Sequence, residues 1–379
     1  MFVSSEISVL FAIPALDRGG PDRVLFELLS RLDRTRFTPS VMVGAPTGHY
    51  LSRLPADVRV IALGDRGGRR DRYPALRALR HLWRARPDIV FATLRMQLTL
   101  GLVAPAFPPG MRLVLRPPTP YSADFSALIA NSPIKHRLSR RLALATLRRA
   151  DAVICQSPVM RDDYRDILGD ARKLHVIGNP IDTASVARAA EREVALPGSP
   201  ALVSVGRFWP VKGYDILLAA LPAVRARHPA LHLTIYGDGP DRAQLEMQAH
   251  ELGVGDVVTF AGFNPEPLPA VRAADLFVLA SRYEAFPNAA LEALACGTPV
   301  VLTSCAGANR QIVRPGFNGR IAAASEPGAM AGAVLEALDE HANYDRPRIV
   351  ADTEARFGAE LIVRAYEDVF ACLGGRSSS

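Results

Sequence analysis

The sequence predicts an α/β protein built from two Rossmann-like, doubly wound domains facing a cleft. Three observations carry the prediction. Short aliphatic and β-branched runs alternate with amphipathic helical stretches, the pattern of a parallel sheet with helices on both faces. That alternation stops near Asp182 and then starts again. A chain of 379 residues, 49% hydrophobic and 22% charged, is long and apolar enough for two cores.

The elements follow in order. Ile7–Ile13 reads as a first strand and Gly19-Gly20-Pro21 as a turn. A helix follows from Asp22 to Leu32, with Val24, Leu25, Leu28, Leu29 and Leu32 on one side. Ser40–Val43, Val58–Ala62, Asp88–Ala92, Arg112–Leu115 and Ala152–Cys155 are further strands. Two Arg-rich helices lie among them. In Tyr73–Arg84, Leu76, Leu79, Leu82 and Trp83 share a face; the second helix is Lys135–Arg149.

After Asp182 the strands are Ala201–Val205, Leu231–Tyr236, Val257–Phe260, Leu276–Leu279 and Thr298–Leu302, with a helix at Tyr214–Arg227. Glu191–Pro200, charged and then rich in Gly, Pro and Ser, reads as a linker. Phe357–Cys372 is a last helix, expected to pack back on the N-terminal domain. The expected division is 1–185, 186–355, a C-terminal helix 356–373 and a disordered tail 374–379.

The net charge of +7 is unevenly spread. Residues 1–182 hold 28 Lys and Arg against 16 Asp and Glu, and residues 183–379 hold 17 against 22. A basic half with Arg-rich helices suits an anionic membrane surface or an anionic ligand. An ordinary amphipathic helix packed on a sheet explains each helix taken singly. Nucleic acid is disfavoured, because no aromatic platform accompanies the charge.

No apolar run is long enough to span a bilayer. The N-terminal stretch reads as a strand rather than a signal peptide, so a cytoplasmic protein is expected, with peripheral attachment to the inner membrane face as a separate hypothesis. The four cysteines form no C-x-x-C pair and are expected as buried, reduced thiols. Only three lysines occur, at 135, 173 and 212.

Two constellations could carry chemistry. In Ser281–Val301, Glu284 sits in a loop entering a helix that starts at Pro287-Asn288, and Glu292 lies about a turn inside it. The helix start offers free N–H groups to an anion, and the carboxylates can accept hydroxyl hydrogen bonds. Two surface glutamates near a helix start is the alternative, and the segment alone favours it.

The second constellation is Val205-Gly-Arg-Phe-Trp-Pro-Val-Lys-Gly213, where Arg207 and Lys212 bracket a loop between strand and helix. Two cations there suit a diphosphate. Tyr236-Gly-Asp-Gly-Pro-Asp-Arg242 reads as a tight strand–helix turn. No D-x-D triplet and no His/Cys/Asp cluster of metal spacing occurs, so neither metal nor cofactor is expected.

Taken together and in order, these segments resemble the retaining GT-B glycosyltransferases of group 1 (glycosyltransferase family four). The resemblance rests on Gly19-Gly20 with Arg23-Val24, Ala150–Ser157, Val176–Asp182, Val205-Gly-Arg with Lys212-Gly, Gly237-Asp-Gly-Pro, Phe260-Ala-Gly262, Glu284…Glu292, Arg310–Val313 and Gly316–Gly319.

It implies roles. Arg207 and Lys212 would bind the donor diphosphate, Glu284 the donor sugar and Glu292 the ribose. Backbone N–H groups from Phe286 through Pro287 and Asn288 to Ala289 would hold sugar and phosphate oxygens, as far as each has one to give. Gly20 would let backbone approach the diphosphate, and Gly262-Phe263 would contact the base. Many members carry a His after an N-terminal-domain strand. The comparable Val114–Tyr121 has none, and leaves Arg116, Thr119 and Tyr121 as acceptor-side candidates.

The implied activity is transfer of a sugar from a nucleoside-diphosphate sugar, UDP by family frequency, to a glycan or lipid-linked acceptor in cell-envelope or exopolysaccharide synthesis. The alternatives are a catalytically inactive nucleotide-sugar-binding partner or regulator, and a GT-B epimerase. The second would need acidic and His residues that are not found.

Overall fold

The computed structural model describes residues 6–17, 19–64, 74–121, 133–305 and 307–375, with backbone alone at 74 and 133–139. The expected tail falls outside these residues from 376 onward. The chain separates into two compact units: unit 1 runs to Pro180 and resumes at Ala359, and unit 2 is Ile181–Gly358.

In unit 1, strands β1 (Ile7–Ile13), β2 (Phe37–Val43), β3 (Arg59–Ala62), β4 (Ile89–Thr93), β5 (Arg112–Arg116), β6 (Ala152–Cys155) and β7 (Leu174–Val176) form one sheet. Helices α1 (Gly20–Arg31), α2 (Pro74–Ala85), α3 (Arg95–Val103), α4 (Pro133–Arg149) and α5 (Pro158–Leu168) connect them.

Unit 2 opens with α6 (Thr183–Ala189). Then β8 (Ala201–Val205), α7 (Tyr214–Arg227), β9 (His232–Tyr236), α8 (Arg242–Glu251), β10 (Val258–Gly262), α9 (Leu268–Ala273), β11 (Leu276–Leu279), α10 (Asn288–Ala295), β12 (Val300–Thr303), α11 (Asn309–Ile312), β13 (Gly319–Ala322), α12 (Pro327–Asp339) and α13 (Arg346–Phe357) follow. Helix α14 (Ala359–Gly374) returns to unit 1.

Every strand pair in both sheets is parallel. The orders are β3-β2-β1-β4-β5-β6-β7 and β10-β9-β8-β11-β12-β13. In each sheet the chain reverses its direction of travel once, at β1/β4 and at β8/β11. In open α/β sheets the crevice beyond the carboxyl ends of two such strands is where ligands bind.

The sequence pattern shows why both faces are covered. Along β1, Val9, Phe11 and Ile13 enter one apolar cluster while Leu10 and Ala12 enter the other. Alternate residues thus pack on opposite faces, as a strand's two-residue period requires. Helix α14 closes the first of these clusters with Tyr366 and Phe370, whose rings meet Phe91 at 6.0 and 6.1 Å.

Three expectations need correction. Segment 191–200 is not the junction between the units: Ser199 N–H donates to Ala230 O at 2.8 Å inside unit 2, and Ile181 N–H already donates to Phe357 O at 2.9 Å. Its composition marks an exposed loop, which need not be a domain border.

On α2 the expected apolar face is split. Ala78 and Leu82 are buried, but Leu76 and Trp83 are exposed. Finally, of the four cysteines only Cys155 is fully buried, and Cys372 is exposed. Burial holds the thiols of Cys155 and Cys296 up at about 12 and that of Cys305 at about 11.

Candidate functional site

The loops after β8 and β11, the two strands flanking the reversal in unit 2, carry the predicted cations and carboxylate. The first loop is anchored by Phe208. Its ring is fully buried against Tyr214 and Phe260, and its N–H donates to Asp238 O at 2.9 Å. The 236–242 turn, read from sequence as a tight turn, is therefore the floor of this loop.

Pro210–Lys212 forms one 3-10 turn, which ends at Gly213 with φ 64°. A Cβ there would stand 2.0 Å from Ala280 O, so only glycine lets this loop lie against the end of β11.

Lys212 and Glu284 come together. The ammonium donates to Glu284 Oε1, and Ser281 Oγ donates to the same oxygen at 2.9 Å. Both side chains are largely buried, at 22% and 13% exposure. Two donors on Oε1 orient the carboxylate and leave Oε2 for a ligand hydroxyl. Arg207 is exposed and makes no ion pair among the described residues. It is the cation of the pair that a ligand meets uncompensated.

Arg282, which the sequence reading passed over, ties the two loops together. Its guanidinium grips Asp215 with two bonds of 2.7 and 2.5 Å and donates to Pro210 O at 2.7 Å, while its N–H donates to Val211 O at 2.9 Å. The Arg282 hydrogen bond holds the Asp215 carboxyl below the usual carboxylate range.

Gly307 was missed as well. At φ 145°, a Cβ on it would lie 1.5 Å from Glu284 O. The segment after β12 passes that close beneath the Glu284 loop. A signal for either residue was present only as an Arg and a Gly near the motif, without a partner to point to.

Helix α10 starts at Asn288, with Pro287 at its N-cap making no side-chain cap. Phe286 and Pro287 are buried; Asn288, Ala289 and Glu292 are half-buried. The start of an α-helix is where backbone N–H groups and the helix dipole favour an anion. Glu292 lies just over one turn in, as its spacing suggested. Gly262, at φ 75°, ends β10 and accepts from Gly237 N–H at 2.9 Å; the next residue, Phe263, is 68% exposed. Among the described residues no group of three or more His, Cys, Asp or Glu could hold a metal ion.

The remaining candidates lie in unit 1. Gly20 is the first residue of α1, whose start is capped by Asp22 accepting from Gly19 N–H at 2.9 Å. Arg116 is buried. Its guanidinium is spent on Tyr366 Oη at 3.1 Å and Asn179 Oδ1 at 2.5 Å, so it staples β5 to α14 instead of facing a ligand. Thr119 offers its carbonyl to Tyr164 Oη at 2.9 Å. Tyr121 lines a cavity in unit 1.

Comparison with known proteins finds glycosyltransferases. The model for Glycosyltransferase Family 4 matches residues 18–185, and that for Glycosyl transferases group 1 matches residues 187–352. The lipopolysaccharide core biosynthesis glycosyltransferase LpsE of Rhizobium meliloti (strain 1021) is 32% identical over 231 residues, covering 60% of this chain and 66% of that protein. The glycogen synthase of Mycobacterium tuberculosis (strain ATCC 25618 / H37Rv) is 35% identical over 229 residues, 58% of this chain and 55% of that one.

The chain thus spans about two thirds of the first relative and about half of the second. The structure of Anabaena HepE in complex with UDP and glucose matches 97% of this chain and 100% of that one, with a TM-score of 0.75 at 20% identity. That likeness is one of fold, the two-unit GT-B architecture.

Proposed function

Because this chain belongs to the group 1 glycosyl transferases, we propose that it transfers a hexose-type sugar from a UDP-sugar to a saccharide or lipid-linked acceptor. Transfer retains anomeric configuration and uses no metal. The observation that carries the reading is the pairing of Lys212 with Glu284 beside an exposed Arg207 that makes no ion pair among the described residues, on the two loops that flank the unit 2 reversal. LpsE and HepE, by what their names and ligands say, support a cell-envelope acceptor and a UDP-sugar donor.

The chemistry follows from the charges. As the anomeric C–O bond breaks, its electron pair passes to the departing diphosphate. Stabilising that charge is the largest electrostatic task. Arg207, Lys212 and the N–H groups opening α10 supply it, and Glu292 accepts from the ribose hydroxyls.

Glu284 Oε2 accepts from a sugar hydroxyl, while Oε1 keeps the Lys212 ammonium aimed at the phosphate. Phe263 lies against the base. The acceptor oxygen attacks the face the diphosphate leaves, and its proton goes to a phosphate oxygen, so no protein nucleophile is required.

Lys212→Ala and Glu292→Ala should each lower transfer by roughly 1.5–3 kcal/mol of lost charge-assisted contact while the fold persists. Transfer assays with a UDP-sugar, alongside circular dichroism, read both. Full transfer in either variant refutes the assignment. UDP-sugar binding without transfer to any acceptor favours a binding protein instead.

A further inference from the structure

At the edge of the second sheet a guanidinium stands beside Gly262 with hydrogens to spare. Arg242 opens α8, just after the Gly237-Asp-Gly-Pro turn. Its Nε donates to Glu246 Oε1 at 2.8 Å and its Nη2 to Phe260 O at 3.0 Å. Nε and Nη2 share one edge of the planar group, so the two bonds fix its plane. Nη1 makes neither hydrogen bond nor ion pair among the described residues.

Nη1 lies against the end of β10. Gly262 holds φ 75°, and a Cβ built on it would meet Nη1 at 3.6 Å and, chain neighbours apart, nothing else within 4 Å among the described residues. The space there is open, and one side of it is a hydrogen-bond donor. Phe263 follows, the most exposed large apolar side chain among the described residues. Such a ring is a face for a stacked base to cover.

The topology sets which end of a base would come here. Strand β10 is the sheet edge, and the chain returns from it to α9, which packs beside α10. Glu292 on α10 is the residue read above as the ribose acceptor. The loop from Phe263 to α9 therefore runs between the ribose position and Arg242, and the part of the base farthest from the ribose faces Nη1. In uracil and guanine that part is a carbonyl oxygen, O4 or O6; in cytosine and adenine it is an amino group.

We propose that Arg242 selects the base of the donor. Nη1 donates to the distal carbonyl oxygen of a base stacked on Phe263, and it opposes the amino group that cytosine or adenine would present there. Glu246 holds the guanidinium in that pose. This assignment rests on the donor reading above and adds to it the residue that prefers UDP over CDP. An Arg242 of structural role alone would only tie α8 to β10.

Calorimetry on the full chain with UDP, CDP, GDP and ADP tests it. The parent should bind UDP at least about tenfold more tightly than CDP. In Arg242→Ala that ratio should collapse towards one, because UDP loses its contact and CDP loses an opposed donor. A lost staple, or a lost charge near the diphosphate, would weaken both nucleotides alike and leave the ratio standing. Glu246 is exposed. Glu246→Ala frees the guanidinium to turn and should lower the same ratio several-fold, so it carries the test if Arg242→Ala does not fold.

A preference for GDP over ADP, lost in the same variants, supports the same contact through O6. The assignment is overturned if the parent binds CDP as tightly as UDP and ADP as tightly as GDP. It is equally overturned if the ratio keeps the parent's value in Arg242→Ala or, where that variant does not fold, in Glu246→Ala. A parent that binds none of the four nucleotides refutes the donor reading and this assignment with it. A parent that binds UDP, with the ratio unaltered in the variants, refutes this assignment alone.

Discussion

Arg282 illustrates how a side chain outside the reacting set can govern it. Its four hydrogen bonds run to Asp215, Pro210 and Val211, and so hold the Lys212 loop against the Glu284 loop. As a half-exposed ion pair it adds little stability, about 1 kcal/mol at most. Its weight is in position. Arg282→Ala should leave the Tm nearly unchanged but weaken UDP-sugar binding roughly tenfold, measured by calorimetry.

The pH dependence follows from the Asp215 carboxyl, which Arg282 holds below its ordinary range. A depressed carboxylate contributes stability above its unfolded pKa and loses it as the pH falls through the folded one. Donor binding should therefore show no loss from this pair at neutral or mildly acidic pH, and a loss only below the ordinary carboxylate range. A binding titration against pH checks this.

Several residues of the family motifs serve the backbone rather than the ligand. Asp151 accepts from Leu113 N–H at 2.8 Å, Ser157 caps α5 and Asp182 caps α6. Asn318 accepts from Arg314 N–H at 2.7 Å. These were legible as motif letters, but their jobs were not.

Among the elements, α14 shows what periodicity can and cannot say. Its apolar residues announced a helix, expected to pack back on the N-terminal domain. Its contacts with Phe11, Phe37 and Phe91 across unit 1 exist only after the chain has crossed unit 2 and returned. Phe370 is completely buried, so Phe370→Ala should cost about 3–5 kcal/mol in denaturant unfolding of unit 1.

The helix α2 teaches the converse. Its leucines and Trp83 are spaced for one face, yet Leu76 is 63% and Trp83 47% exposed. The sheet covers only the stripe holding Ala78 and Leu82. Which part of an apolar face is covered depends on the neighbours, and spacing contains none of them. The loop elements were the least legible: Gly307 and Phe208 act through contacts with residues distant in sequence.

For the molecule as a whole, charge and apolar exposure point the same way. The basic first half carries Leu76, Trp83 and Leu102 exposed on α2 and α3, interleaved with Arg80, Arg84 and Arg95. No helix among the described residues is long and apolar enough to cross a membrane. We propose peripheral attachment to an anionic membrane face. Flotation with phosphatidylglycerol liposomes should succeed at low salt and weaken as salt is raised, because screening acts on exposed charge. Salt-independent or absent flotation removes the idea.

The restart of strand–helix alternation after Asp182, the two-residue and helical periods, and the order of the Gly, Arg, Lys and Glu motifs were all present in the linear chain. They are local: each depends on neighbours a few positions away, so two doubly wound units and the candidate donor residues could be read from them. The union of Lys212 with Glu284, the Arg282 clamp and the withdrawal of Arg116 into a staple are not local. Each depends on which strand ends lie side by side, and strand order is set by packing both faces of a sheet at once. Only the folded chain makes that choice.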